Sequence, residues 1–224
     1  MMQTQLKAFF NWSGGKDSSL SLYHIRRQKE YAVQWLLTSV NQDYNRVSMH
    51  GVRVDLLKRQ AESIGLPLHC LLLPEKMSME TYNKTLAAAC QGFVRQGIHY
   101  SIFGDIFLED LRRTREEQLA QVSMQAVFPI WKRPTTELAR EFIRLGFKAV
   151  IVCVQEKSLP RSFAGREFNQ NLLNDLPPEV DPCGENGEFH TFVFDGPLFR
   201  TPVPFSLGSK VLREGFCFAD LLPL

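Results

Sequence analysis

The feature that most constrains this chain is a regular exchange between two hydrophobic periodicities. Ala8 to Trp12 is a short, nearly continuous apolar run, and the segment after Gly15 can run as a helix through about Gln28. Val33 to Val40 is a second apolar run. Leu57, Ala61 and Ile64 recur at helical spacing, Gly65 and Pro67 stop that helix, and Leu68 to Leu73 reads as a strand. The pattern then repeats. Tyr82, Leu86, Ala89 and Phe93 mark one helical face closed by Gly97, and Ser101 to Phe103 resumes a strand. A charge-dense exposed helix over Glu109 to Gln121, a strand over Val127 to Trp131, a helix through Leu138, Phe142 and Leu145 ending at Gly146, and a strand over Ala149 to Val154 complete the series. Short strands alternating with helices predict an α/β fold built on a doubly wound parallel sheet, with helices on both faces and ligands beyond the carboxyl ends of the strands.

After Val154 the pattern changes. Pro160, Pro177, Pro178, Pro182, Pro197, Pro202 and Pro204 punctuate a stretch with few periodic helices. A division follows: residues 1–154 as the sheet domain and 155–224 as a smaller, loop-rich C-terminal region laid over the carboxyl edge of the sheet. A length of 224 residues suits one large domain with an appendage. With 26 Lys and Arg against 24 Asp and Glu, the net charge of +2 gives no broad handle for nucleic acid and argues against it as a partner. No apolar run approaches the roughly 20 residues of a membrane helix, and the N-terminal residues do not resemble a secretory signal, so a cytoplasmic location is the default expectation. Cys70, Cys90, Cys153, Cys183 and Cys217 lie far apart without a C-x-x-C pair, which suits buried thiols better than a disulfide framework or a zinc knuckle.

Ser13-Gly14-Gly15-Lys16-Asp17-Ser18-Ser19 falls between the first expected strand and the first expected helix, where a phosphate-binding loop belongs. Glycines let the backbone approach an anion closely, and the free amides and dipole of a helix start favour negative charge. Ser13, Ser18 and Ser19 add hydroxyls and Lys16 a positive charge. Asp17 is the ambiguous member, because a carboxylate beside phosphates repels them unless it binds magnesium or the loop backbone. The usual P-loop would need glycine at Phe10 and a hydroxyl at Asp17, and G-x-G-x-x-G is missing too. The S-G-G-x-D-S form resembles instead the pyrophosphate loop of the N-type ATP pyrophosphatases, which split ATP between its α and β phosphates.

A second block runs from Asp181 to Val193, D-P-C-G-E-N-G-E-F-H-T-F-V. Two glycines hold a turn, and Glu185, Glu188 and His190 crowd a short span. Such a cluster can bind an amine, a metal or a proton in transit. On spacing alone, a solvated hairpin tip followed by an edge strand reads equally well. Cys183 with His190 has no second ligand pair at zinc spacing.

Together the pyrophosphate loop, Arg46 to Gly51 (R-V-S-M-H-G), Gly104-Asp105-Ile106, Arg115-Glu116, Pro129-Ile130-Trp131 and G-E-N-G-E-F-H-T closely resemble the diphthine-ammonia ligase family, in blocks that span nearly the whole chain. The R-V-S-M-H-G form looks like the bacterial branch, whose members occur where diphthamide is not made. The resemblance implies a HUP-type sheet domain with a smaller substrate-binding region. It also implies an ATP-dependent amidoligase that activates a carboxylate, small or protein-bound, as an acyl adenylate and transfers ammonia to it. ATP, Mg2+ and ammonium are the implied ligands. Ser13, Gly14, Gly15, Ser18 and Ser19 would hold the β and γ phosphates, with Lys16 assisting and Asp17 as the candidate magnesium ligand. Val40 and Gly104-Asp105, at strand ends, would border the nucleoside, although Asp105 reads equally as a helix cap or turn residue. His50 would contact phosphate or be polar surface. Arg115 would pair with a phosphate or the acceptor carboxylate, or belong to a solvated helix face. Glu185, Glu188 and His190 would fix ammonium or take its proton, with Glu188 the most sensitive. Adenylation of another small molecule or of a tRNA base, and a non-catalytic ATP sensor, are the rival readings; a homo-oligomer is left open.

Overall fold

Ala8, Phe9 and Phe10 are buried in succession, on both faces of a pleated strand, and only a strand covered on both sides can hold such a run. The computed structural model, which describes residues 4–47 and 51–224, places them in β1 (Leu6–Asn11), at the middle of a sheet. There follow α1 (Lys16–Gln28), β2 (Tyr31–Asn41), β3 (Arg46–Val47), α2 (Val54–Ile64), β4 (Leu68–Leu73), α3 (Met79–Val94), β5 (Tyr100–Ile102), α4 (Glu109–Ala120) and β6 (Gln125–Val127). Five strands are parallel in the order β4-β2-β1-β5-β6, and β3 is a short antiparallel addition at the end of β2.

Side-chain alternation along the strands sorts the helices between the two faces. Phe10 and Leu36 join the buried residues of α1 and α2 in one cluster, whereas Phe9 and Leu37 join those of α3 and α4 in another. The chain therefore winds one way from β1 through β2 and β4 and the other way through β5 and β6. The crevice beyond the carboxyl ends of β1 and β5 is the switch point at which such sheets bind ligands.

The remaining elements are α5 (Thr135–Arg144), β7 (Lys148–Gln155), a 3-10 turn (Arg161–Phe163), α6 (Gln170–Asp175), β8 (Phe189–Asp195), β9 (Phe205–Arg213) and β10 (Phe216–Pro223). β7, expected to close the alternating series, instead pairs antiparallel with β8 and β10 in a second sheet of order β8-β7-β10-β9. The stretch expected to be loop-rich thus contributes three strands. β9 escapes a periodicity reading because it is an exposed edge strand interrupted by Gly208. β6 also differs, ending at Val127 while Phe128 to Trp131 turns, with the Trp131 amide donating to the Phe128 carbonyl at 3.3 Å; Pro129 has no amide to continue a ladder.

One aromatic core runs from α1 into the second sheet, beginning where Tyr23 meets Phe147 edge-on at 5.9 Å. Phe142 stacks on Phe147 at 4.9 Å and meets Phe168 edge-on at 5.6 Å, and Phe168 reaches Phe189 at 6.2 Å. Gly104, just beyond β5, lets that strand end press against the start of α1. A Cβ there would lie 2.9 Å from the Ser18 nitrogen and 3.0 Å from its Cα, both backbone positions that cannot rotate away. Gly104→Ala is therefore expected to destabilise the fold by about 1–3 kcal/mol through overpacking, read as a lower urea midpoint at unchanged slope.

Candidate active site

β1 ends with the Trp12 amide donating to the Leu37 carbonyl at 2.7 Å, and the chain then turns into α1 through Gly14, whose φ of 77° suits glycine. The hydroxyls of the turn hold it together. The Gly15 amide donates to Ser13 Oγ at 3.2 Å, Ser13 Oγ donates to Ser18 Oγ at 3.1 Å, and Ser18 Oγ donates to the Gly15 carbonyl at 2.9 Å. Ser13, Gly15, Lys16, Asp17 and Ser18 line a cavity of about 790 Å³ at the switch point. Gly14 and Ser19 do not line it: Ser19 is fully buried behind the loop.

The opposite wall comes from the second sheet. Gln155, Cys183, Gly184, Glu185, Gly187, Phe189, His190, Thr191 and Phe216 face the same cavity. Lys16 joins the two walls: its amide donates to Thr191 Oγ1 at 3.0 Å, and its ammonium binds Asp17 Oδ2 at 2.7 Å and the Cys183 carbonyl. The lysine is only 4% exposed, so its charge serves a bridge across the site rather than reaching freely for a phosphate. Burial opposes that charge, but Asp17, Cys183 and Glu185 outweigh it and hold the ammonium above its ordinary pKa. Asp17 is pushed up by burial, with Lys16 opposing. Glu185 is raised to about 8 by burial and by the neighbouring Asp17, and His190 is lowered to about 4 by burial and the Lys16 charge.

Glu188 behaves differently from Glu185. It is 4% exposed, does not line the cavity, and accepts three hydrogen bonds from its own loop: from the Asp181 amide at 3.0 Å, the Asn186 amide at 2.9 Å and Asn186 Nδ2 at 3.1 Å. Asp181, which opens the second block without a role of its own in the sequence, completes the fastening by accepting from the Cys183 amide at 2.7 Å and from Thr135 Oγ1 at 2.7 Å. Glu188, expected to share the ammonia chemistry, thus spends its carboxylate on hydrogen bonds within the loop that carries Glu185.

Other expected residues divide similarly. Arg115 and Asp105 both line the cavity, but they are bound to each other at 2.8 Å, with the guanidinium 4.2 Å over the Phe103 ring. Burial raises the Asp105 pKa and lowers that of Arg115. Neither of the bland alternatives, a turn residue or a solvated helix face, describes this pair. Val40 is fully buried, paired to Val47 on one side and Leu72 on the other, and leaves the cavity lining of β2 to Leu37, Thr38 and Ser39. His50 lies outside the described residues. Among the described residues no three His, Cys, Asp or Glu side chains gather as a metal site. A magnesium ion would have to come with the phosphates of its substrate and take one or two carboxylates, which Asp17 suits.

The sequence of the first half, residues 6–125, matches the model of the diphthamide synthase N-terminal domain, and residues 134–218 match that of the diphthamide synthase C-terminal domain. The chain belongs to the diphthamide synthase family. It is similar to the diphthine–ammonia ligase of Danio rerio, 30% identical over 121 residues that make up 51% of this chain and 47% of that protein. The enzyme of the same name from Mus musculus is 32% identical over 121 residues, 51% of this chain and 45% of that protein, and that of Schizosaccharomyces pombe 30% identical over 98 residues, 42% and 16%. The match thus spans less than half the length of these relatives. In this member of the diphthamide synthase family the cavity draws on both matched segments, the Ser13 to Ser18 loop from the first and Glu185 and His190 from the second.

Hydrogen bonds outweigh burial at Glu188 and keep its pKa below the usual value. A depressed carboxylate stabilises the fold fully above its unfolded pKa of about 4.3 and loses that contribution as pH falls through the folded value. Glu188→Gln, which turns an amide toward backbone donors, is therefore expected to lower urea stability most at neutral pH. The gap to the unchanged protein should narrow in acid, as paired melts at pH 7 and below the ordinary glutamate range would record.

Proposed function

We propose that this chain is an ATP-dependent ligase that activates a carboxylate as an acyl adenylate and amidates it with ammonia, releasing AMP and pyrophosphate. The observation that carries the reading is that the phosphate loop and the acidic block line one cavity. At about 790 Å³, the cavity lies toward the upper end of the range of small-molecule sites, in keeping with room for ATP and a second substrate. The diphthine–ammonia ligases among its relatives point to the same chemistry.

A carboxylate does not react with ammonia in neutral water because oxide is a poor leaving group. In the proposed first step an acceptor carboxylate oxygen bonds to the α phosphorus of ATP, and the bond between that phosphorus and the bridging oxygen of pyrophosphate breaks. The α1 start, with Ser13, Gly15 and Ser18, presents donors and a positive dipole end to the departing phosphates. Asp17 would hold a magnesium ion brought by the phosphates, which would supply charge neutralisation there. In the second step ammonia nitrogen bonds to the acyl carbon, the bond from that carbon to the AMP oxygen breaks, and a nitrogen-bound proton passes to Glu185. A carboxyl with a pKa of about 8 is well matched to that proton. His190, neutral at pH 7, orients ammonia without adding a competing positive charge. Arg115 is held by Asp105 at the cavity wall, where it steers the acceptor carboxylate.

Purified protein incubated with ATP, magnesium, ammonium and a panel of carboxylates should yield AMP and pyrophosphate together with an amide. ATP that binds and stays intact would make the protein a sensor, and AMP formation indifferent to ammonium would make it another adenylating enzyme. Glu185→Gln should lower amide formation about a hundredfold to ten-thousandfold. The rate of the unchanged enzyme should rise with pH through about 8 as Glu185 loses its proton. In the variant only the rise from ammonium's own titration remains.

A further inference from the structure

Gln60 sits on the buried face of α2 among Leu56, Leu57, Ala61 and Ile64, where helical periodicity calls for an apolar side chain. It is 0% exposed. A buried carboxamide is tolerated only when its polar atoms are bonded, and here both N–H donors and one of the two oxygen lone pairs are engaged. Its Oε1 accepts from Trp12 Nε1 at 2.9 Å, and its Nε2 donates to the Gly14 carbonyl at 3.0 Å and to the Val193 carbonyl at 2.5 Å. The Val193 amide donates to the same Gly14 carbonyl at 2.9 Å.

We propose that Gln60 is the positioning residue of the phosphate loop, acting through the Gly14–Gly15 peptide. In a planar trans peptide the carbonyl and the following amide point in opposite directions. Anchoring the Gly14 carbonyl against α2 and β8 therefore turns the Gly15 amide away from them, toward Ser13 Oγ, on the side where Ser13 and Gly15 line the cavity. Gly14 is shaped for this contact: a Cβ on it would lie 2.7 Å from Gln60 Oε1. The Val193 bond ties the same carboxamide to the strand that carries His190 and Thr191, so the loop takes its orientation only when β8 is docked. The inference rests on the reading of Ser13 to Ser18 as a phosphate site and adds the residue that sets its geometry.

The test uses the full chain with Gln60→Met, which keeps the length of the side chain and removes its donors. Gln60→Glu, which keeps the acceptor for Trp12 and, protonated in this buried position, can donate to only one of the two carbonyls, is the second variant, and thermal melts record that each variant is folded. ATP and adenosine affinities and amide hydrogen exchange of residues 13–18 are measured for each. The expected result is ATP binding weakened about ten- to hundredfold, as loss of bonds to buried carbonyls would give, with adenosine affinity unchanged and loop exchange faster. The indole resonance of Trp12 should shift in Gln60→Met and hold in Gln60→Glu. Folded variants that bind ATP as the unchanged protein does, or that lose ATP and adenosine by the same factor, would overturn the positioning role alone. An unchanged protein with no affinity for ATP would overturn the phosphate-site reading and this inference with it.

Discussion

A buried ammonium must have partners, because removing a charge from water without them costs several kcal/mol. At Lys16 those partners come from two distant parts of the chain: Asp17 beside it and the Cys183 carbonyl from the loop before β8. The lysine amide reaches Thr191 on that strand as well. The ion pair, the helix start and the docking of the second sheet are thus one arrangement. If β8 moved away, it would strip a buried cation of one of its acceptors and open the cavity along one wall.

The same arrangement explains why two glutamates three residues apart are pushed in opposite directions. Glu188 faces three donors of its own loop and is held ionised; Glu185, desolvated by its own burial and facing the partly buried Asp17, is driven toward the protonated form. Environment, not residue type, separates a structural carboxylate from one able to exchange a proton near neutrality. The aromatic chain from Phe142 to Phe189 gives this division a rigid base, since Phe189 directly follows Glu188 and sits beneath the Lys16 ammonium at 5.5 Å.

Much of the first sheet was legible in the sequence. Helix and strand periods from Ala8 to Gly146 are local, and stop signals such as Gly65 with Pro67 act within a turn of the residues they terminate, so α1, α2, β4 and α4 fall where expected. The loop Ser13 to Ser18 was legible for the same reason, as glycines, hydroxyls and a charge are consecutive there. The second sheet was not. β7 carries the same apolar run whether it closes a parallel sheet or opens an antiparallel one, and only its partners β8 and β10 distinguish the two.

Sequence by itself determined the alternating elements, the glycine- and serine-rich turn from Ser13 to Ser19 and the acidic block, because each is encoded within a few neighbouring residues. Tertiary structure decided which members of those blocks meet. It turned Glu188 and Ser19 away from the cavity, paired Arg115 with Asp105, and brought in Gln60, which stands in no motif, with Asp181 and Thr191, members of the second block to which no local pattern gives a role. The reason is physical: hydrogen bonds and desolvation depend on what lies within a few ångströms. For Gly14 those neighbours are a helix 46 residues later and a strand nearly 180 residues later, a proximity that no local pattern records.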